Sequence, residues 1–291
     1  MSIRVHARPA LALCLAISSA AGCGLISPSN IDEGTPGRAK VMESGWSASS
    51  KLEVSDDGWE DSPYITRDGR FVMFFYHPAP DIVTDPPSAT KIQLDARIYV
   101  SERPFKTKSL HPVSTEDAVT EAGPYIALNK SFFYFRTFPF GGGPHKIVRD
   151  GQTLDLGTGQ HEQNPHYCDA MDELYFDAAD QQMYVHKGGR TTRLPAPVNA
   201  PGSRDFQPFL TDDCQTMYFT STRAAGGGIF PFQVYRTRRS GEFQWSEPEL
   251  FISHPDGVGE FSMTADGKEV VFIELSRVAG GARTDIYHSR R

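Results

Sequence analysis

Helical periodicity is missing from this sequence, which excludes a helical bundle or solenoid. Positive charge is in short supply: 29 Lys and Arg stand against 36 Asp and Glu, giving a formal net charge of −7. A chain this acidic offers no electrostatic footprint for nucleic acid. Cysteine is scarce at four residues, which excludes a disulfide-dense scaffold. Past the amino terminus no apolar run is long enough to span a bilayer. No Gly-x-Ser-x-Gly elbow occurs, weakening an esterase or peptidase reading. The glycine clusters Gly141–Gly143, Gly226–Gly228 and Gly280-Gly281 lack the helix and the Lys-Ser/Thr that a phosphate loop needs, and no cofactor is expected. His161 and His166 have no accompanying ligand spacing, so no metal is assigned.

The amino terminus has a definite pattern. Arg4 and Arg8 precede an apolar run from Ala10 to Ile17, followed by small residues up to Gly22. That is the layout of an export signal, and removing it takes the formal charge from −7 to −9 because Arg4 and Arg8 leave with it. Ala20-Ala21-Gly22-Cys23 resembles the lipobox of bacterial lipoproteins, with Ala20 where leucine is usual. The resemblance implies that residues 1–22 are a signal peptide and that Cys23 carries the lipid. It also implies a membrane held through acyl chains rather than a span. Gly24, in place of an aspartate, points to the outer membrane, periplasmic or surface-exposed. Residues 23–45 are rich in Ser, Pro, Gly and charge and read as a flexible tether. Cys168 and Cys214 then remain in an oxidising compartment, where a disulfide between them and two buried thiols are both open readings.

From Trp46 to Arg291 one pattern recurs. Its copies are Ser62-Pro63-Tyr64 to Phe74, Gly123-Pro124-Tyr125 to Phe135, Asn164-Pro165-His166 to Phe176 and Gln207-Pro208-Phe209 to Phe219. The fifth, Glu260-Phe261-Ser262 to Phe272, has Phe261 in the proline position. Each copy reads as a short strand, a polar turn and a second strand ending on an aromatic. Asp68-Gly69 and Asp266-Gly267 are strong hairpin signals, because glycine accepts the positive φ such turns need. Third strands follow at Ala96–Val100, Gln182–Val185, Gln233–Arg236 and Thr284–His288, with a less clear one near His145–Val148.

These units resemble the WD-like repeats of TolB-type propellers, whose signature is Ser-Pro-Asp-Gly between two inner strands. The resemblance implies an all-β fold, a single β-propeller over residues 46–291. Five copies predict five blades. Six is the alternative, since Tyr76–Asp95 is long enough to hold another hairpin. An all-β sandwich has similar strand spacing but does not account for the repeat. Trp46-Ser47 precedes the first copy much as Trp245-Ser246 precedes the fifth. The stretch Trp46–Val54 is therefore expected to supply the outer strand of the last blade, removing an exposed edge. The extra amino-terminal domain of TolB is not recognisable, which predicts a different role.

Three positions ahead of the repeated proline stand Glu60, Glu121, Glu162 and Asp205. The fifth copy has Val258 there, with Asp256 and Glu260 close by. If the blades are equivalent, Glu60, Glu121, Glu162, Asp205 and Glu260 converge on one mouth of the channel as a tentative ligand site. Such a ring recruits a cation, a basic ligand or a sugar, or raises carboxyl pKa values. The plainer reading is a set of turn carboxylates that guide each blade into its first strand. Phe138, Phe140, Phe230 and Phe232 flank the glycine loops, as a partner-binding rim or as a cover for the core. The leading expectation is binding of an envelope protein, peptide or glycan through the channel face. A propeller-type glycoside hydrolase using channel carboxylates is the alternative, although no differentiated catalytic pair stands out.

Overall fold

A computed structural model describes residues 37–78, 96–114, 120–137, 143–223, 231–278 and 281–291, with the side chains of 277, 278, 281 and 282 outside that description. All of these belong to one compact unit, Asp32–Arg291. The expectations for the signal peptide, Cys23, residues 24–36, most of the Tyr76–Asp95 loop, Phe138, Phe140 and Phe230 fall outside the described residues.

Among the described residues every regular element is a strand. Two short strands come first, β1 (Lys40–Val41) and β2 (Ser50–Lys51). Blade 1 is β3 (Trp59–Ile65), β4 (Phe71–His77), β5 (Arg97–Glu102) and β6 (Ser109–Leu110). Blade 2 is β7 (Glu121–Ile126), β8 (Phe132–Thr137), β9 (His145–Arg149) and β10 (Gln152–Thr153). Blade 3 is β11 (Glu162–Cys168), β12 (Glu173–Ala178), β13 (Met183–Lys187) and β14 (Arg190–Arg193). Blade 4 is β15 (Asp205–Leu210), β16 (Thr216–Ser221), β17 (Gln233–Gly241) and β19 (Glu249–Ser253), with β18 (Gln244–Trp245) hanging on β17. Blade 5 is β20 (Val258–Met263), β21 (Glu269–Val278) and β22 (Gly281–Arg290), completed by β2. The first strands β3, β7, β11, β15 and β20 neighbour one another in a closed ring. The fold is a five-bladed β-propeller.

The core lies between blades rather than inside any one sheet. Tyr64, Phe75, Phe133 and Phe176 pack blades 1 to 3 together, while Cys168, Val185, Phe219 and Trp245 join blade 3 to blade 4. Tyr218, Phe251, Phe261 and Phe272 join blades 4 and 5, and Leu52, Ile65, Val271 and Ile286 close the ring. Burial of these apolar faces drives the blades together.

Closure works as expected at β2, where Ser50 pairs with His288 and Lys51 with Tyr287. The tether boundary needs correction. Lys40 and Val41, expected in the flexible segment, pair with Ser253 and Ile252 on the edge of blade 4. Residues 38 and 39 are held by the buried carboxylate of Glu274, which accepts Arg38 N–H at 2.9 Å and Ala39 N–H at 3.0 Å. The amino-terminal strap therefore covers two edges, those of blades 4 and 5.

Cys168 and Cys214 form a disulfide, with Cα atoms 5.9 Å apart. Cys168 ends β11 and Cys214 sits in the β15–β16 turn at φ 59°, so the bond ties blade 3 to blade 4. Of the two readings open in the sequence, this is the one realised.

Candidate functional site

Each inner strand carries the same irregularity just before its proline position. Ser62, Gly123, Asn164, Gln207 and Glu260 all have φ between 49° and 63°. Pairing with the second strand slips at each of these points, for example between Asp61 and Tyr64 and between Gly259 and Ser262. This is a β-bulge, which explains why proline is tolerated: the ladder is already interrupted where its N–H is missing. At Gly123 a Cβ would lie 3.0 Å from the Phe135 ring, so a side chain there requires that ring to shift, whereas the other four blades hold non-glycine residues at a similar φ.

The bulge decides which residues see the channel. Bulge residues and the one or two that follow line its waist, which holds a volume of only about 60 Å³. Just past the bulge, a polar side chain in four of the five blades staples neighbouring blades together. Tyr64 Oη donates to Ile126 O at 3.0 Å, and Tyr125 Oη donates to Tyr167 O at 2.9 Å. Leu210 N–H donates to His166 Nε2 at 3.1 Å, and Ile65 N–H donates to Ser262 Oγ at 3.1 Å. The rings of Tyr64, Tyr125, His166, Phe209 and Phe261 follow one another around the waist with centroids 4.1 to 5.5 Å apart. Burial pushes the His166 imidazole down to about 3, so it is neutral and acts as an acceptor.

The predicted acidic ring is not in this channel. Glu60, Glu121, Glu162 and Asp205 are at most 1% exposed, and none of them lines the waist or the cavity at the strand-start mouth. They are structural clamps on the chain entering each blade. Glu60 accepts Asp56 N–H at 3.2 Å, with Lys108 Nζ at 3.4 Å. Glu162 takes the Thr158 hydroxyl at 2.5 Å and Lys146 Nζ at 3.1 Å, and Glu121 pairs with Arg136. Asp205 takes Ala200 N–H at 3.0 Å, Ser221 Oγ at 2.6 Å and Arg223 at 2.7 Å. Burial pushes the Glu60 carboxyl up to about 8, against the pull of the Asp56 N–H and Lys108.

Glu260 alone of the five reaches the pore, because it occupies the bulge itself. Its carboxylate accepts from the Ser62 N–H and from the Gln207 side-chain amide, joining blades 1, 5 and 4.

Above the waist, at the end where the inner strands begin, the channel widens to a cavity of about 230 Å³. Its polar lining includes Asp61, Gln163, Asn164, Asp177, Gln181, Gln207 and Glu260, beside Phe75, Phe135, Phe206 and His145. Asp177 accepts Asn164 Nδ2 at 2.9 Å and Gln207 N–H at 3.0 Å, and burial pushes it up to about 7. Asp61 accepts Trp59 Nε1 at 3.1 Å and is pushed by burial up to about 6. His145 stacks on Phe135 at 5.1 Å and meets Gln163 through Nδ1. Its Nε2 is buried with no hydrogen-bond partner among the described residues. Burial and the neighbouring His161 push the His145 imidazole down to about 4. Phe232 rests edge-on against Phe206 at this rim, the part of the aromatic rim expectation that the described residues reach.

Asp61, Asp177 and His145 were not legible as site residues. Asp61 sits two positions ahead of the proline, where the other proline-bearing copies have Ala122, Gln163 and Phe206, so the repeat does not mark it as an acidic position. Among the described residues no cluster of His, Cys, Asp and Glu could hold a metal ion.

No protein-family model and no curated protein sequence matches this chain. Solved structures resemble it in fold. TolB from Acinetobacter baumannii superposes with a TM-score of 0.48 at 12% identity, over 80% of this chain and 54% of that one. The chain thus spans about half the length of that TolB structure. A thermostable family-43 glycoside hydrolase gives a TM-score of 0.48 at 13% identity, over 79% of this chain and 89% of that one. A puromycin-hydrolysing peptidase from Mycobacterium tuberculosis gives 0.38 at 11% identity, over 74% and 42%.

Proposed function

We propose that this chain is a lipid-anchored β-propeller of the bacterial envelope that binds a ligand in the strand-start mouth of its channel. The observation that carries the reading is the cavity of about 230 Å³ lined by four side-chain amides, three carboxyl groups and three phenylalanine rings. Amides and carboxyls both donate and accept, and rings cover the apolar face of a sugar or side chain. This favours a glycan or a polar peptide segment over an extended apolar one. Attachment through Cys23 rests on the lipobox resemblance and would hold the domain at the outer membrane.

The test is an array of peptidoglycan fragments, envelope glycans and envelope peptides, probed with the full lipidated chain in detergent. Saturable binding that Asp177→Asn and Gln163→Ala weaken about tenfold supports the reading. Binding indifferent to both variants, or none at all, removes it. For the anchor, Cys23→Ser should release the chain from membranes, and unchanged retention would refute lipidation.

A second reading rests on Asp61 and Asp177 lining the same cavity, with burial raising their carboxyls to about 6 and about 7. Glycoside hydrolysis needs one protonated and one ionised carboxyl, and such a pair supplies both near neutral pH. Turnover of any bound glycan that vanishes in Asp61→Asn and Asp177→Asn would favour this over binding alone.

A further inference from the structure

The opposite end of the channel, where β15 turns into β16, opens into a separate cavity of about 290 Å³. Its floor is the lower side of the waist rings Tyr64, Tyr125, His166 and Phe209, and its rim carries Arg67, Asp212 and Asp213. Arg67 in the blade 1 turn pairs bidentately with Asp212 in the blade 4 turn. These blades are not neighbours, so the pair crosses the mouth in front of blade 5, whose Ala265 N–H donates to Arg67 O at 2.9 Å. The guanidinium is close enough to Tyr64, Tyr125 and His166 for its charge to act on all three.

The charge balance of this mouth is one-sided. Asp213 is held ionised by the Thr211 hydroxyl and the Gln215 N–H, and Asp169 is near enough to act on Tyr125. Asp68 acts on Tyr64 from the blade 1 turn and is likewise held below the usual carboxylate range by hydrogen bonds from Thr66 and Arg70 N–H. Among the described residues Arg67 is the one cation on the cavity lining, and the floor of that cavity is aromatic, a surrounding that can hold a cation. The Arg67–Asp212 pair is 31% and 40% exposed at its side chains, a setting in which ion pairs exchange readily.

We infer that the turn-side mouth is a second binding site, for a basic side chain at the tip of a partner polypeptide, and that Arg67 occupies it as a resident competitor. A guanidinium or ammonium entering over the four rings takes Asp212, while Arg67 swings out to solvent. The volume, just under the ~300 Å³ at which ligand pockets begin, suits one long side chain rather than a folded domain.

The test is a titration of the full chain with N-acetyl-arginine amide, with acetate as the anionic control, followed by NMR of the His166 ring. Arg67→Ala removes the competitor and should bind the probe at least fivefold more tightly than the wild type. Asp212→Asn should bind it at least fivefold more weakly, and acetate should not bind. Arg67 is partly exposed, so its variant keeps the test decisive even if Asp212→Asn folds poorly. No saturable binding to either the wild type or Arg67→Ala overturns the inference. So does affinity unchanged by Arg67→Ala, or acetate binding in place of the arginine probe.

Discussion

Val258 pairs directly with Glu274 across β20 and β21. In the other blades the buried acid stands on the first strand, at Glu60, Glu121, Glu162 and Asp205. In blade 5 an apolar residue takes that place, and the acid stands opposite it on the second strand. The task is the same, namely to hold incoming backbone. Glu274 accepts Arg38 and Ala39 N–H groups and the Ser49 hydroxyl at 2.7 Å, with His254 at 3.4 Å.

Glu274→Ala strands several buried donors at the point where the amino-terminal strap meets the ring. The expected cost is roughly 3 kcal/mol in denaturant unfolding, with faster proteolysis in the strap. A loss below about 1 kcal/mol would mean that the strap is held by strand pairing alone.

The pH dependence follows from two opposite directions of shift. Glu60 and Asp177 ionise only near 8 and 7 in the fold, so they bind protons more tightly folded than unfolded. Their contribution is complete at low pH and is lost as pH rises towards those values. His145 and His166 are pushed down, which lowers stability on acidification, but only below their ordinary value of 6.5. Stability should therefore fall between about pH 6.5 and 8, by up to ~1.4 kcal/mol per unit for each group titrating. Glu60→Gln should remove most of that slope in thermal melts, and an unchanged slope would contradict the assignment.

Much of the ring was legible because its punctuation is local. The proline-to-aromatic copies, the Asp-Gly turns and the Trp46 stretch each report nearby chain geometry, and together they give five blades and the closing strand. The acidic ring was misplaced because equal spacing ahead of the proline fixes a position along the strand but not the direction of the side chain, and the bulge between the acid and the proline is not written in the spacing. Glu60 therefore faces its own loop and Lys108, while Glu260, two positions nearer the repeated site, faces the pore. Asp177 lies on a second strand, where the repeat gives no reason to look. Residues 37–41 carry no apolar period, since their order comes from Glu274 and the β19 edge, which are far away in sequence.

The Cys168–Cys214 disulfide closes a separation of 46 residues. Loop-closure entropy gives it a worth of about 4 kcal/mol, so reduction should lower the midpoint of urea unfolding by a corresponding amount. A Cys168→Ala, Cys214→Ala double variant should melt at the temperature of the reduced wild type. If oxidised and reduced forms unfold together, the bond does not tie blades 3 and 4 in the way described.

Tyr125→Phe deletes one inter-blade staple, the hydrogen bond to Tyr167 O, and leaves the ring stack in place. Its expected cost is about 1 kcal/mol. A neutral result would show that the waist is held by ring packing alone.

Under the proposed reading the ligand meets Asp177 and its neighbours in the strand-start cavity, while the buried acids ahead of the bulge hold backbone. The most direct test compares ligand affinity in Asp177→Asn and Glu162→Gln, both with verified folding. The prediction is about a tenfold loss for Asp177→Asn and wild-type affinity for Glu162→Gln. The reverse pattern, with binding lost at Glu162 and kept at Asp177, would contradict it.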